Sequence, residues 1–346
     1  MIGRNSYNRG NMKMKAKNVK KLSIALGVVG VFFAALFVFL MVWFFGASYP
    51  AFDKIAEETF TIQGLKEGIS PQGLCALPAG YEYDFAMSGY MVKGEPSRIY
   101  LINSETNESK YITLTRDGKE VTSHFGGVTA TDNFLIVADG KYITRVSLDE
   151  ALFAENGQAI EIHDQLELDI NIAFCYYERE EDLLFVGEFY REKNYKTDKS
   201  HHLTKDGETN YAFVYVFVGD ESGLGGIQIG QPYAVLSVRG LVQGIAVSQD
   251  KIYLSCSYGL PDSKLYTYSN PLHGGEEYTD LHGVPVYRLD KDNLISTLTM
   301  PCMSEEICFK DGKLYILFES LCNKYKNFVR VRMDKVVAIP LEKIGV

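Results

Sequence analysis

An uncharged run of 24 residues at 22–45, LSIALGVVGVFFAALFVFLMVWFF, constrains this chain more than any other feature. As a helix rising about 1.5 Å per residue it is about 36 Å long, enough to cross a hydrocarbon core of about 30 Å. Seven basic residues precede it (Arg4, Arg9, Lys13, Lys15, Lys17, Lys20 and Lys21), and no acid occurs before Asp53. Basic residues beside a span are retained in the cytoplasm, so the N-terminus is expected inside and the C-terminus outside. Trp43 stands near the far end of the run, where an interfacial aromatic belongs. The rival reading is a cleaved signal peptide with Gly46-Ala47-Ser48 as its cleavage site. Its apolar region would span about 7–15 residues, far fewer than are present. No polar stripe interrupts the run, as it would in a half-buried soluble helix. The expected organisation is a cytoplasmic tail over 1–21, a signal-anchor helix over 22–45, a linker over 46–58 and an extracellular domain over 59–346 at the cell membrane.

Charge narrows the partners. Taking the seven basic residues of the tail from the chain's 35 Lys and Arg leaves 28, against 44 Asp and Glu, a formal charge of −16 beyond the tail. That balance argues against nucleic acid and against charge-driven docking on anionic lipid. It permits cationic partners or bound Ca²⁺, and solubility alone also accounts for it.

From about Thr59 the sequence alternates as strands do, as in Phe60-Thr61-Ile62-Gln63, and it is rich in Tyr (23) and Phe (20). An apolar step, often carrying Gly, then a turn and an aromatic-rich strand recur. The steps are Gln72-Gly73-Leu74, Gly126-Gly127-Val128, Ile172-Ala173-Phe174, Gln243-Gly244-Ile245 and Glu305-Glu306-Ile307. Thr131-Asp132-Asn133, Glu180-Glu181-Asp182, Gln249-Asp250 and Asp311-Gly312 supply the turns. Multi-stranded repeats at roughly 40–50 residues, lengthened by insertions, predict a β-propeller. Five blades fit the copies found, six if one copy has diverged, and a β-sandwich pair is the alternative. Val336-Val337-Ala338-Ile339 is expected to pair with residues 60–63 and close the ring. Two polar stretches, 191–210 (REKNYKTDKSHHLTKDGETN) and 270–283 (NPLHGGEEYTDLHG), read as long loops on one rim, either binding loops or neutral insertions.

The stretches GGVTATDNFLIVADGKYITRVSL (126–148) and VQGIAVSQDKIYLSCSYG (242–259) resemble exported bacterial β-propellers of the broad NHL, SMP-30 and strictosidine-synthase-like class. The resemblance extends over most of 70–340 at the level of short repeats, and fold alone does not carry function. In the SMP-30-like lactonases an early acidic residue before a Gly-Pro helps hold a catalytic divalent metal. The comparable step here is Gln72-Gly73-Leu74, a neutral amide, which counts against that activity.

Inner strands of a propeller line its axis, and ligands commonly sit at one mouth. The repeats begin polar at Gln72, His124, Gln243 and Ser304-Glu305, and the aromatic strands end polar at Ser88, Asp139, Glu188, Ser257 and Glu319. If these ends converge, Gln72, Ser88, Asp139, Glu188, Gln243, Ser257, Glu305 and Glu319 form a ligand-binding ring able to hold Ca²⁺ or to tune a carboxyl for proton transfer. His124, before the flexible Gly126-Gly127, is the candidate catalytic imidazole; a structural role is the plainer one for it, as backbone hydrogen bonding is for the ring. His201-His202 lies in a charged loop. His273 and His282 flank Glu276, Glu277 and Asp280 without matching a defined metal spacing.

The six cysteines form no CxxC pair and fit either buried thiols or disulfides, Cys302 with Cys322 being the first bridge to consider. No GxSxG elbow, Walker loop or HExxH is present, and Gly223-Leu224-Gly225-Gly226 has no following helix to make it a phosphate cradle. The leading expectation is a binding or scaffolding module for an extracellular protein or glycan. The alternative is a metal-assisted hydrolase or lyase with its site in the axial channel.

Overall fold

A computed structural model describes residues 4–345 except 225, 226, 228 and 229, so part of the glycine-rich 223–226 step lies outside the described residues. The chain divides into two compact units, Met1–Ser48 and Tyr49–Val346. The first is one α-helix, Arg4–Phe45, which runs through the basic stretch as well as the apolar one. No proline interrupts it, and the Lys, Met and Ala of the tail are good helix formers. Its segment Ser23–Val42 has a mean hydropathy of 2.8, and none of that window is buried.

The second unit is a β-propeller. Its strands fall into antiparallel sets, each a meander from the inside outward. The first set is Ile69–Ala76, Phe85–Met91, Arg98–Ile102 and Ser109–Arg116. The second starts with Phe125–Ala130 against Phe134–Ser147. The Leu148 amide bonds the Asn133 carbonyl at 2.8 Å, so the stretch Phe134–Ser147 folds back on itself about Gly140, whose φ is +64°. Residues 164–167 complete this set, and the same strand, Asp164–Glu178, continues into the third as its inner member. Leu183–Glu188, Ala212–Leu224 and Ala234–Val238 follow it. Hydrogen bonding therefore merges the second and third sets into one eight-stranded sheet. The fourth set is Val242–Val247, Lys251–Cys256, Ser263–Ser269 and Leu294–Met300. The last is Ser304–Lys310, Lys313–Phe318, Lys335–Pro340 and the N-terminal strand Glu57–Thr61.

Among the described residues, five inner strands neighbour one another in cyclic order, the first meeting the last. Closure comes from the two ends of the unit. Glu57 faces Ala338 and Glu58 faces Val337, a pairing that begins slightly earlier in the chain than the alternation at 60–63 suggests. Phe60, fully buried, locks this strand against Phe85 of the first set, ring centroids 4.6 Å apart. Local chemistry agrees with the pairing. Lys310 faces Lys313 across Asp311 (φ +50°) and Gly312 (φ +73°), the left-handed pair a two-residue hairpin turn requires.

The repeated step has a structural meaning. In every inner strand the pairing slips there, between Pro71 and Gly73, Phe125 and Gly127, Ile172 and Phe174, Val242 and Gly244, and Ser304 and Ile307. A bulge at the same place in each strand re-aims its residues toward the axis. The small residues let the strands approach closely. A Cβ on Gly127 would lie 2.7 Å from the Cys175 nitrogen, and one on Gly244 would lie 2.5 Å from the Glu306 Cα.

Two expectations need correction. The polar insertions are structured and dock on each other. Residues 191–210 contain a hairpin of Leu203–Lys205 with Glu208–Asn210. Residues 270–283 supply Thr279–Leu281, which pairs with Val284–Arg288, itself parallel to Ala234–Val238 at the edge of the third set. Tyr278 Oη donates to the Thr204 carbonyl at 2.8 Å, and Lys205 pairs with Asp292 at 2.8 Å. Together they cover a sheet edge that would otherwise be open for pairing. No bridge joins Cys302 and Cys322 either, because all six cysteines are free and buried. Burial pushes their thiols up, that of Cys256 to about 12, so they stay protonated and unreactive.

Candidate functional site: the axial mouth and the rim cleft

Glu306 occupies the axis of the propeller. Its Oε2 accepts from the amides of Leu74 (2.9 Å) and Val128 (3.0 Å), and its Oε1 accepts from that of Cys175 (3.1 Å). Those donors belong to the inner strands of the first three sets, so one fully buried carboxyl ties the ring together across its centre. Burial pushes its pKa well above the usual carboxylate range, and the three amides pull the other way.

Beside it, the bulged positions Gln72, Gln243 and Glu305 belong to the first, fourth and fifth sets, which are consecutive around the ring. The matching positions in the second and third sets are Gly126 and Ala173, so the polar groups gather on one side. Glu319 Oε2 accepts from Ser70 Oγ at 2.9 Å and from Gln72 Nε2 at 3.2 Å, and Gln243 Nε2 donates to Glu305 Oε1 at 3.2 Å. Glu305 and Glu319 also bond each other. Burial first, then the charge of Glu319, raises Glu305 well above its ordinary value, which favours the protonated form of Glu305 beside Glu319. Burial raises Glu319 as well, opposed by the hydrogen bonds from Ser70 and Glu305.

The remaining predicted residues stand at equivalent strand ends but in separate networks. Ser88 is buried and donates to the Phe125 carbonyl at 3.4 Å. Asp139 is held by Arg116 Nη2 at 2.6 Å and by the Ser123 hydroxyl. Glu188 accepts from the Phe213 amide (3.0 Å) and meets His201 Nδ1 (2.8 Å) beside a cleft of about 180 Å³ lined also by Asp169 and Asp198. His124 lies against the Tyr90 ring, centroids 4.6 Å apart. Crowding, then the Lys324 ammonium, pushes its imidazole down; solvent still reaches the residue, which tempers the shift, but the neutral form is favoured. Among the described residues no hydrogen bond or ion pair joins His124 to the carboxyl network. His273 is turned toward Glu181 at 3.0 Å, and among the described residues no group of three or more His, Cys, Asp or Glu is placed to hold a metal ion.

Ser257 opens onto a different feature. It lines a cleft of about 580 Å³ between the third and fourth sets, with Tyr190, Arg191, Tyr211, Arg239, Tyr258 and Tyr266. Tyr190 and Tyr211 stack at 4.5 Å and 5°. The Arg191 guanidinium lies 3.9 Å over the Tyr258 ring, and that of Arg239 lies 3.8 Å over the Tyr266 ring. Sequence reasoning passed over Glu306 and Ser70 as site residues and these arginines, and it left His201 in a charged loop without its Glu188 partner. Ser257, from the predicted ring, and the start of the 191–210 stretch signalled part of the cleft, whereas its other walls come from distant turns.

No family model matches the sequence, and no curated protein matches it significantly. Among solved structures, the luciferin-regenerating enzyme is 12% identical over 81% of this chain and 94% of its own, with a TM-score of 0.40. The WD40 repeats of RRP9 are 11% identical over 85% of this chain and 99% of their own, at 0.39. A tail fibre of Staphylococcus aureus phage P68 is 10% identical over 88% of this chain and 55% of its own, at 0.40.

Proposed function

We propose that this chain is a membrane-anchored, five-bladed propeller that binds an extracellular glycan or protein at its rim, with the N-terminal tail in the cytoplasm. The observation that carries this reading is the contrast between axis and rim. Glu306 and the Glu305–Glu319 network satisfy one another inside the ring, while the cleft between the third and fourth sets offers tyrosine faces to an incoming partner. Aromatic rings with a polar tip suit surfaces that must be wet when empty and buried when filled. The basic tail and the unburied apolar helix support the anchoring and its orientation. Kinship with the NHL, SMP-30 and strictosidine-synthase-like class belongs to the same reading.

The full chain in nanodiscs, applied to a glycan and extracellular-protein array, is expected to retain specific partners that the Tyr190→Ala, Tyr258→Ala double variant loses. Equal retention by the two proteins removes the cleft from the reading.

A hydrolase or lyase is the second reading, and the protonated Glu305 bonded to Glu319 is what favours it. A carboxyl kept neutral beside a carboxylate is the arrangement general acid–base chemistry uses. Gln72 and Gln243 would then orient the substrate, with His124, Ser88, Asp139 and Glu188 in supporting positions around the mouth and Ca²⁺ as a further ligand of the ring.

A further inference from the structure

Resting on the rim-cleft reading, we infer that the ligand of this cleft is an anionic saccharide, a sugar ring bearing a carboxylate or phosphate. Beyond its tail the chain is strongly acidic, yet this cleft gathers Arg191, Arg239 and Lys264. Neither arginine forms an ion pair with an acid among the described residues. Arg191 Nη1 bonds the Asn194 side chain and the Tyr258 hydroxyl, both uncharged, and Arg239 lies over the Tyr266 ring. Two acids also line the cleft: Asp262, already engaged by Arg330 and by Tyr49 Oη, and Glu192, which forms no ion pair with either arginine among the described residues. Arg239 also bonds the Tyr266 and Tyr268 side chains, and a guanidinium that sits over a tyrosine ring and bonds only uncharged groups keeps further N–H groups for a planar or tetrahedral oxyanion.

A second, independent observation points to a hydroxyl-bearing ligand. Ser257 lines the cleft, the residue is only 3% exposed, and its Oγ has no hydrogen-bond partner among the described residues. Buried hydroxyls are nearly always paired, so this one, in a residue that lines the cleft, is a candidate to be met by a polar group of the ligand. The four cleft tyrosines are partly exposed, a lining suited to the C–H groups of a pyranose ring, and the volume lies within the usual range of ligand sites, about 300–1,000 Å³. An acidic peptide would satisfy the arginines, and its backbone could pair with the Ser257 hydroxyl, but it brings no pyranose C–H face to the tyrosines.

Calorimetric titration of the full chain in nanodiscs tests this with four probes: tetragalacturonate, mannose 6-phosphate, maltotetraose and tetraglutamate. The expected result is binding of tetragalacturonate or mannose 6-phosphate, whichever carries the right oxyanion, weakened by salt and by about tenfold or more in Arg191→Met and Arg239→Met. Thermal unfolding checks each variant, and Arg191→Met, on a turn, carries the test if Arg239→Met fails to fold. Maltotetraose binding as tightly as the anionic sugars overturns the charge inference and leaves the rim-cleft reading standing. Preference for tetraglutamate overturns the saccharide class. If no probe binds, this inference falls; the rim-cleft reading falls with it only if the array also shows no difference between wild type and the double tyrosine variant.

Discussion

Glu305 and Glu306 are adjacent in sequence and behave differently in the fold. Glu306 spends both oxygens on backbone amides of three other strands, while Glu305 shares a hydrogen bond with Glu319. Burial raises Glu305 above its ordinary value of 4.5, so the folded chain binds more protons than the unfolded chain between that value and the raised one. Its contribution to stability is therefore most favourable at low pH and declines as pH rises through that window. Glu305→Gln keeps a donor for Glu319 and an acceptor for Gln243 but cannot ionise. We expect it to unfold about 2–4 °C higher than wild type near pH 8 and to lose most of that advantage near pH 5, as read by thermal melts. An unchanged difference at the two pH values contradicts the assignment of the proton to Glu305. The sequence marked Glu305 and Glu319 as polar strand ends, but nothing in it pointed to Glu306. Strict alternation turns one of two neighbours away from the axis, and only the bulge between Ser304 and Ile307 brings both inside.

The inner strand with its bulge is the unit from which the ring is built. A recurring small or glycine step was legible in the sequence; its cause was not, because it lies in the backbone of the next blade. Gly127 illustrates this. An added Cβ would stand 2.7 Å from the Cys175 nitrogen, 2.8 Å from Glu306 Oε1 and 2.9 Å from the Phe174 Cα, two of them backbone atoms that cannot turn aside. Gly127→Ala is expected to cost about 3 kcal/mol, at the upper end of overpacking, measured by urea unfolding. A variant as stable as wild type would mean that the strands can part without penalty. The turns were more accessible to sequence reasoning. Asp311-Gly312 has the chemistry of a tight hairpin and forms one, since that conformation is set by the two residues themselves.

At the scale of the whole molecule, the helix and the propeller lead to one prediction that treats each unit by itself. In intact cells a cysteine placed in the tail by Asn5→Cys should escape a membrane-impermeant maleimide. One placed by Glu105→Cys, on an exposed turn of the propeller, should be labelled. The native cysteines are buried and give little background. Labelling of the tail with protection of the turn would reverse the proposed orientation. The apolar run, its basic flank, the strand alternation and the turn chemistry were determined by the sequence alone. Each depends on residues a few positions apart, where length, charge and φ preference act directly. The tertiary structure decided which polar ends meet and which do not. Gln72, Gln243, Glu305 and Glu319 converge because their blades are consecutive around the ring, Glu188 finds His201, and two separate insertions become one edge cover. The rim cleft likewise exists only where turns from two blades come together, and such long-range contacts follow from ring closure, which no local stretch of sequence encodes.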